Sequence, residues 1–197
     1  MAQSSVADVA ARPGPDATKE AWREWARVLR TTLDFTTLSH EVCEGLARFP
    51  PLRHAATVLV YLPMEDEIDL TELMRSGLPM RWVATRTPDQ GPLTIHELGG
   101  PVETHRFGFS QPLASASPVA PHEIDIALVP GMVFDLYGSR LGHGFGYFDH
   151  LMAELRPGIV RVGVTPSALV ADRLPREPHD VPVQWLAAEE GVVGVVY

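Results

Sequence analysis

Apolar positions along this chain follow two spacings in turn. From Thr18 the spacing is helical: Trp22, Ala26, Leu29 and Leu33 share one face of a helix predicted over 19–33, with Thr18 as its cap. A second helix is expected over 39–49, capped by Ser39, with Val42, Leu46 and Phe49 inward and Pro50 and Pro51 as its stop. Residues 56–62 are a near-continuous apolar run, the pattern of a strand buried on both faces of a parallel sheet. A short helix with an acidic first turn is expected over 69–75. Further strands are expected at 81–85, 126–129, 159–164, 181–185 and 191–196, with a helix over 147–155. Residues 87–122 are rich in Pro, Gly, Ser and His. They read as an irregular excursion or hairpin with a strand-like piece at 93–98, suited to form part of a substrate wall. Strands alternating with helices argue for an α/β fold with a mainly parallel sheet. Residues 1–17 lack periodicity and read as a mobile tail, which leaves 18–197 as a single domain.

The stretch over 125–156 organises the rest. A strand leads into a loop holding Gly138, Gly142, Gly144 and Gly146 with Arg140 among them, and a helix follows with Tyr147, Leu151 and Leu155 at helical spacing. Strand, glycine-rich loop and helix together bring backbone N–H groups and a helix N-terminus up to a phosphate. The spacing is neither the dinucleotide fingerprint nor a P-loop, so an ordinary glycine-rich surface loop stays an open alternative. Lys19, Arg23, Arg27 and Arg30 form a basic stripe on the first helix. It reads either as a solvated face or as an anion site. Acidic residues follow the first strand at 65–67, where open α/β sheets place their ligands.

Composition narrows the function classes. With 197 residues and 45% hydrophobic content the chain can build a real core. A net charge of −9 argues against general nucleic-acid binding while leaving room for a local basic pocket. Cys43 is the one cysteine, which rules out an intrachain disulfide and a cysteine-based zinc site. No apolar run reaches membrane-spanning length, and the N-terminus lacks the charge and apolar core of a secretory signal. A soluble, cytoplasmic protein with no membrane partner is expected.

The order of motifs resembles that of the 5-formyltetrahydrofolate cyclo-ligase (methenyltetrahydrofolate synthetase) family. Its central signature is similar to Pro130-Gly131-x-x-Phe134-Asp135-x-x-Gly138-x-Arg140-Leu141-Gly142-x-Gly144-x-Gly146-Tyr147-Phe148-Asp149. Lys19-x-x-Trp22-Arg23, Tyr61-Leu62-Pro63-Met64-x-x-Glu67-Ile68 and Leu174-Pro175-x-Glu177-x-His179-Asp180 resemble its flanking motifs in the same order. The resemblance runs from about Lys19 to the C-terminus. It implies a three-layer α/β fold with helices on both faces of a mainly parallel sheet, of the NagB/RpiA/CoA-transferase-like, Rossmann-like kind. It also implies a reaction: 5-formyltetrahydrofolate and Mg-ATP give 5,10-methenyltetrahydrofolate, ADP and phosphate. The formyl oxygen is phosphorylated, N10 attacks the activated carbon, and phosphate leaves.

The roles that follow from the resemblance are specific. Lys19, Arg23 and Arg140 are the catalytic cations. With Leu141, Gly142, His143, Gly144, Phe145, Gly146, Tyr147 and Phe148 they make the ATP site. Leu62, Glu67, His143, Gly144, Phe145, Gly146 and Tyr147 meet the folate, and Asp149 and Asp180 hold Mg2+. Arg86 is a weaker candidate for phosphate or for the substrate's glutamate tail. Each residue also has a plainer reading: Asp149 as a helix-dipole partner, Asp180 in an Asx-turn, Tyr147 and Phe148 as core. The expected partner is the small-molecule folate, with or without a polyglutamate tail, and the expected state is a monomer. Several positions depart from the common pattern: Trp22 for Leu, Phe145 for Gly or Lys, Phe148 for Tyr, His150 for Arg, and Gln111 before Pro112 for Glu. The alternative is a divergent relative with a folate- or thiamin-linked binding role and no cyclo-ligase activity. The retained set Lys19, Arg23, Arg140 and Asp149 speaks for the enzyme.

Overall fold

The structure, a computed structural model, describes residues 11–196, so positions 1–10 of the expected tail lie outside the described residues. Helix α1 spans Lys19–Arg30, and the Thr18 hydroxyl accepts the Ala21 N–H at its start. Helix α2 spans Phe35–Arg48 and begins four residues earlier than the pattern predicts. Its cap is Asp34, whose carboxylate accepts the Thr36 and Thr37 N–H groups. Ser39 therefore sits inside the helix, where its hydroxyl accepts the Asp69 N–H at 2.8 Å. Pro50 and Pro51 do end α2, and they also open a one-turn helix α3 (Pro50–Arg53), because proline suits the first helical positions.

The remaining elements in chain order are β1 (Thr57–Val60), α4 (Thr71–Arg75), β2 (Arg81–Arg86), β3 (Thr94–Glu97), β4 (Val102–Thr104) and β5 (Ser110–Pro112). Then come β6 (Ile126–Val129), β7 (Val133–Asp135), β8 (Arg140–Leu141), α5 (Tyr147–Glu154), β9 (Val160–Val164), β10 (Val170–Ala171), β11 (Trp185–Ala188) and β12 (Gly191–Gly194). The strand expected over 181–185 begins only at Trp185. Upstream, the Val181 N–H and C=O and the Val183 N–H bond to Asp149, Arg140 and Gly138, so this backbone is committed to loop contacts.

Seven strands form the main sheet in the order β12-β11-β9-β6-β1-β2-β3. The inner five run parallel, and β12 and β3 close the edges antiparallel. Side-chain direction alternates along each strand, and the two cores follow that alternation. Val58, Val60, Ile126, Leu128, Val162 and Val164 pack with α2, α3 and α4 on one face. Leu59, Ala127 and Val129 pack with Leu151, Met152 and Leu155 of α5 and the following residue on the other. The result is three layers. A small sheet, β10-β7-β8, lies beyond, and α1 packs on it through Trp22, Trp25 and Ala26. Arg12 donates to the Val170 carbonyl and stands over the rings of Trp22 and Trp25. No described helix is long and apolar enough to cross a membrane.

Two polar or backbone constraints fix the frame. The Asp125 carboxylate accepts the Ala56 and Thr57 N–H groups, each at 2.9 Å, and pairs with Arg156 at 2.6 Å. It thereby joins the starts of β1 and β6 to the segment after α5. Partial burial works against its charge, but these donors outweigh that cost and hold its pKa below the usual aspartate value. Gly138 turns β7 into β8 with φ +81°, and a Cβ there would lie 2.2 Å from the Val183 carbonyl oxygen. Asp125→Ala is expected to cost about 1.5–3 kcal/mol in urea denaturation at neutral pH. Because the folded pKa is depressed, this contribution is complete above the unfolded carboxylate pKa and fades as pH falls through the folded one, so wild type and variant should converge in acid. Gly138→Ala should cost about 2–3 kcal/mol in the same assay, since neither the left-handed backbone nor the carbonyl contact accepts a methyl group.

Candidate active site

In the main sheet β1 connects to β2 on one side, and β6 connects to β9 on the other. Adjacent strands whose connections diverge leave a crevice beyond their carboxyl ends, the place where α/β sheets bind ligands. A cavity of about 580 Å³ occupies it here. Tyr61, Leu62, Met64 and Glu67 line it from the β1 exit, Pro130 and Gly131 from the β6 exit, and Thr85 and Thr87 from the end of β2. Apart from Arg86, the residues expected at the site line this one cavity: Lys19, Arg23, Leu62, Glu67, Arg140 to Asp149 and Asp180. The sequence reading did not single out Tyr61, Thr85, Leu93, Phe107, Phe109, Glu177 and His179 as site residues. Phe107 and Phe109 lie inside the stretch expected to form a substrate wall.

Arg30 braces the crevice. It belongs to the basic stripe of α1, yet its side chain is buried. Its guanidinium donates to the Asp66 carbonyl after β1 and to the Gly131 carbonyl after β6 at 2.6 Å. The stripe therefore divides by contact: Arg27 pairs with Glu20 and Glu24 in solvent, Arg30 holds the two strand exits, and Lys19 and Arg23 reach the cavity. Arg23 lies along the glycine loop, with its Nε donating to the Gly142 carbonyl at 3.0 Å, and its guanidinium stands 3.7 Å from where a Cβ on Gly144 would be.

The glycine stretch is two structures. Gly138 belongs to the β7–β8 turn and packs on Val183, whereas residues 142–146 form the loop at the cavity and lead into α5. Asp135 secures the turn, accepting the Tyr137 and Ser139 N–H groups on one oxygen and the Leu174 N–H on the other. Helix α5 starts at Tyr147 with no side-chain cap, so its first N–H groups remain available to an anion.

Arg140 is more enclosed than its expected role implies. Its guanidinium pairs with Asp149 Oδ1 at 3.2 Å and donates to the Val181 carbonyl at 3.3 Å, while its Nε has no hydrogen-bond partner. Burial pulls its pKa below the usual arginine value, opposed by the nearby Asp149 and Asp180 charges. Asp149 Oδ1 also accepts the Val181 N–H at 3.2 Å, which brings it beside the residue following Asp180. Lys19 Nζ lies 2.9 Å from both Asp180 and Glu177. Burial disfavours its charge, but the two carboxylates outweigh this and raise its pKa above the usual lysine value. Burial likewise works against the Asp180 anion, and the Glu177 N–H and Lys19 more than offset it, so its pKa falls. Ligand atoms of Glu177, His179 and Asp180 lie within 4.8 Å of one another. The carboxylate oxygens of Asp149, Glu177 and Asp180 are hard donors of the type a magnesium ion takes. Glu177 and Asp180 thus stand close enough to share such an ion, while Asp149, held by Arg140 and the Val181 N–H, is not part of that cluster.

Glu67 is buried, accepts the Met64 N–H at 3.1 Å, and stands 3.8 Å from His143. Arg86 is engaged elsewhere: it pairs with Glu103 at 2.5 Å and donates to the Pro112 carbonyl, away from the cavity lining. Gln111 is part of the same bracket, accepting the Thr87 N–H and donating to Glu103.

Residues 21–189 match the model of the 5-formyltetrahydrofolate cyclo-ligase family. The Mycolicibacterium smegmatis 5-formyltetrahydrofolate cyclo-ligase is 30% identical over 71% of this chain and 77% of its own length. The Haemophilus influenzae protein of the same name is 29% identical over 66% of this chain and 74% of its own. Among solved structures, Aquifex aeolicus 5,10-methenyltetrahydrofolate synthetase superposes with a TM-score of 0.78 at 30% identity, covering 89% of this chain and 92% of that one. The synthetase from Mycoplasma pneumoniae has the same fold, with a TM-score of 0.71 at 19% identity, covering 88% of this chain and 99% of that one. A match across most of the chain, joined to a cavity that gathers the family's motif positions, places the chain in the 5-formyltetrahydrofolate cyclo-ligase family.

Proposed function

We propose that this chain is an ATP-dependent cyclo-ligase that converts 5-formyltetrahydrofolate to 5,10-methenyltetrahydrofolate with release of ADP and phosphate. The observation that carries the reading is a single cavity lined by two kinds of group. Lys19, Arg23, Arg140, the loop over 142–146 and the N-terminus of α5 supply positive charge and N–H donors. Leu62, Tyr61 and the ring of Tyr147 supply apolar surface, with the buried carboxylate of Glu67 among them.

An amide oxygen is a poor leaving group. When bound, Mg-ATP supplies the phosphoryl group that makes this oxygen a good one. Such a transfer needs positioning and charge neutralisation more than a protein nucleophile. Lys19 and Arg23, one turn apart on α1, supply two positive groups to the same phosphates. The uncapped N-terminus of α5 adds N–H donors. Asp149 and Asp180, with Glu177 beside them, would hold the magnesium ion. Glu67 accepts pterin N–H groups, and Tyr147 offers its ring to the folate. Leu62 closes the apolar side. N10 and the activated carbon are thereby held together, which favours ring closure over hydrolysis.

Methenyltetrahydrofolate absorbs in the near ultraviolet and gives a direct assay. The protein should form it from 5-formyltetrahydrofolate only with ATP and magnesium, and a chelator should abolish the signal. No absorbance change with both substrates present would refute the reading. Arg23→Gln should raise KM for ATP about tenfold or more, because a charge-assisted phosphate contact is lost. Asp149→Asn should lower turnover about 100-fold. Asparagine is the informative substitution because it keeps an oxygen to accept from Arg140 and the Val181 N–H, which Asp149→Ala would remove. Full turnover of a folded Asp149→Asn protein would remove Asp149 from the metal site.

A further inference from the structure

A second cavity, of about 460 Å³, borders the same C-terminal loop as the active cavity, and none of the roles above uses it. The loop divides its residues between the two. Glu177, His179 and Asp180 line the active cavity, whereas Arg176, Pro182, Val183 and Gln184 line the second. The second cavity is cationic. Arg161, Arg173 and Arg176 all line it, in a chain where 16 Lys and Arg stand against 25 Asp and Glu. Among the described residues the one carboxylate in its lining is Asp135, which is buried and engaged by the β7–β8 turn. Its oxygens accept the Tyr137, Ser139 and Leu174 N–H groups, so backbone donors hold both of them.

The three arginines are held differently. Arg161 fixes the wall: its Nε donates to the Pro182 carbonyl at 2.9 Å, and its backbone N–H donates to the Gln184 side chain at 2.6 Å. Arg173 lies 4.9 Å over the Tyr137 ring and makes no hydrogen bond or ion pair among the described residues. A guanidinium stacked on a ring keeps the N–H groups of its edge free to donate. Arg176 has one polar contact among the described residues, to the Asp180 carbonyl at 3.5 Å, which is long for a hydrogen bond. Neither Arg173 nor Arg176 pairs with a described carboxylate, although carboxylates outnumber cations in the chain. Two unneutralised guanidinium groups on one cavity raise its potential and draw an anion between them.

We propose that this cavity is a second anion site, separate from the active cavity, which takes a phosphate group between Arg173 and Arg176. Each guanidinium presents a planar fork of donors. A carboxylate has two oxygens in one plane and is filled by a single fork, whereas the tetrahedral oxygens of a phosphate can accept from two forks at once. Tyr137 holds Arg173 at the cavity, and the weak bond to Asp180 leaves Arg176 able to turn to the ligand. The site stands on these contacts alone and does not depend on the cyclo-ligase reading.

Isothermal titration calorimetry of the full chain with inorganic phosphate tests it, with ionic strength held constant by chloride. The wild type should show saturable binding in the millimolar range. Arg173→Gln and Arg176→Gln should each weaken it about fivefold or more, because a charge-assisted contact is lost. Arg23→Gln, which removes a cation from the active cavity, should leave it within about twofold. Acetate should bind the wild type about fivefold more weakly than phosphate or worse. Thermal unfolding of Arg173→Gln and Arg176→Gln in chloride should match the wild type, since both side chains are exposed, and this separates lost binding from lost fold. Absence of saturable phosphate binding would overturn the proposal. Binding that survives both Arg173→Gln and Arg176→Gln but is lost in Arg23→Gln would assign the anion to the active cavity and overturn it too. Acetate binding as tightly as phosphate would overturn the choice of a phosphate group.

Discussion

A buried guanidinium is tolerable only where its charge and donors are met, and the cavity depends on how Arg140 is met. Its two partners come from different elements: Asp149 from the first turn of α5 and Val181 from the C-terminal loop. Asp149 closes the triangle by accepting the Val181 N–H. The loop over 142–146 is strung between two of these corners, so its path follows from the ion pair. Removing the Asp149 side chain leaves the Arg140 guanidinium buried with only the Val181 carbonyl, a cost of about 3–5 kcal/mol in comparable settings.

Shape constraints act in the same region. The Phe134 ring fits between Gly131 and Gly163, where added Cβ atoms would stand 2.7 and 2.4 Å from it. This lets the small sheet come down on the main one at β6 and β9. Arg30 then ties the β1 and β6 exits together from α1. Lys19 and Arg23 lie on the same helix, so the interaction that braces the crevice also sets the reach of the two cavity cations.

Electrostatics of the site run against the net charge of the chain. Lys19 stands among Asp180 and Glu177, which raise its pKa while it helps lower that of Asp180. A cation and two carboxylates in this arrangement offset each other in part, with one negative charge in excess, before any ligand arrives. A divalent ion takes up the carboxylates while the phosphate bound with it takes up the lysine. Carboxylates beside an anion site are thus compatible with phosphate binding, provided the ion comes with the phosphate.

Much was legible in the residues alone. The near-continuous apolar run around β1 marked a buried parallel strand, because only a strand covered on both faces is apolar at successive positions. The motif order marked the family, and many of its positions line the cavity. Local pattern failed where two residues could serve one purpose: Asp34 and Ser39 are both good caps, and the helical period extends through Phe35 and Leu38 to the earlier one. It failed again at 181–185, where side chains allow a strand but Asp149, Arg140 and Gly138 claim the backbone. What the chain determined by itself was the type of each element and the kind of group brought to the site, since periodicity and residue chemistry are local. Only the tertiary structure decided which of four basic residues on α1 is buried, that Glu177 and Asp180 both pair with Lys19, and that Phe107 meets Phe145. Those are contacts between segments whose separation along the chain carries no distance in space.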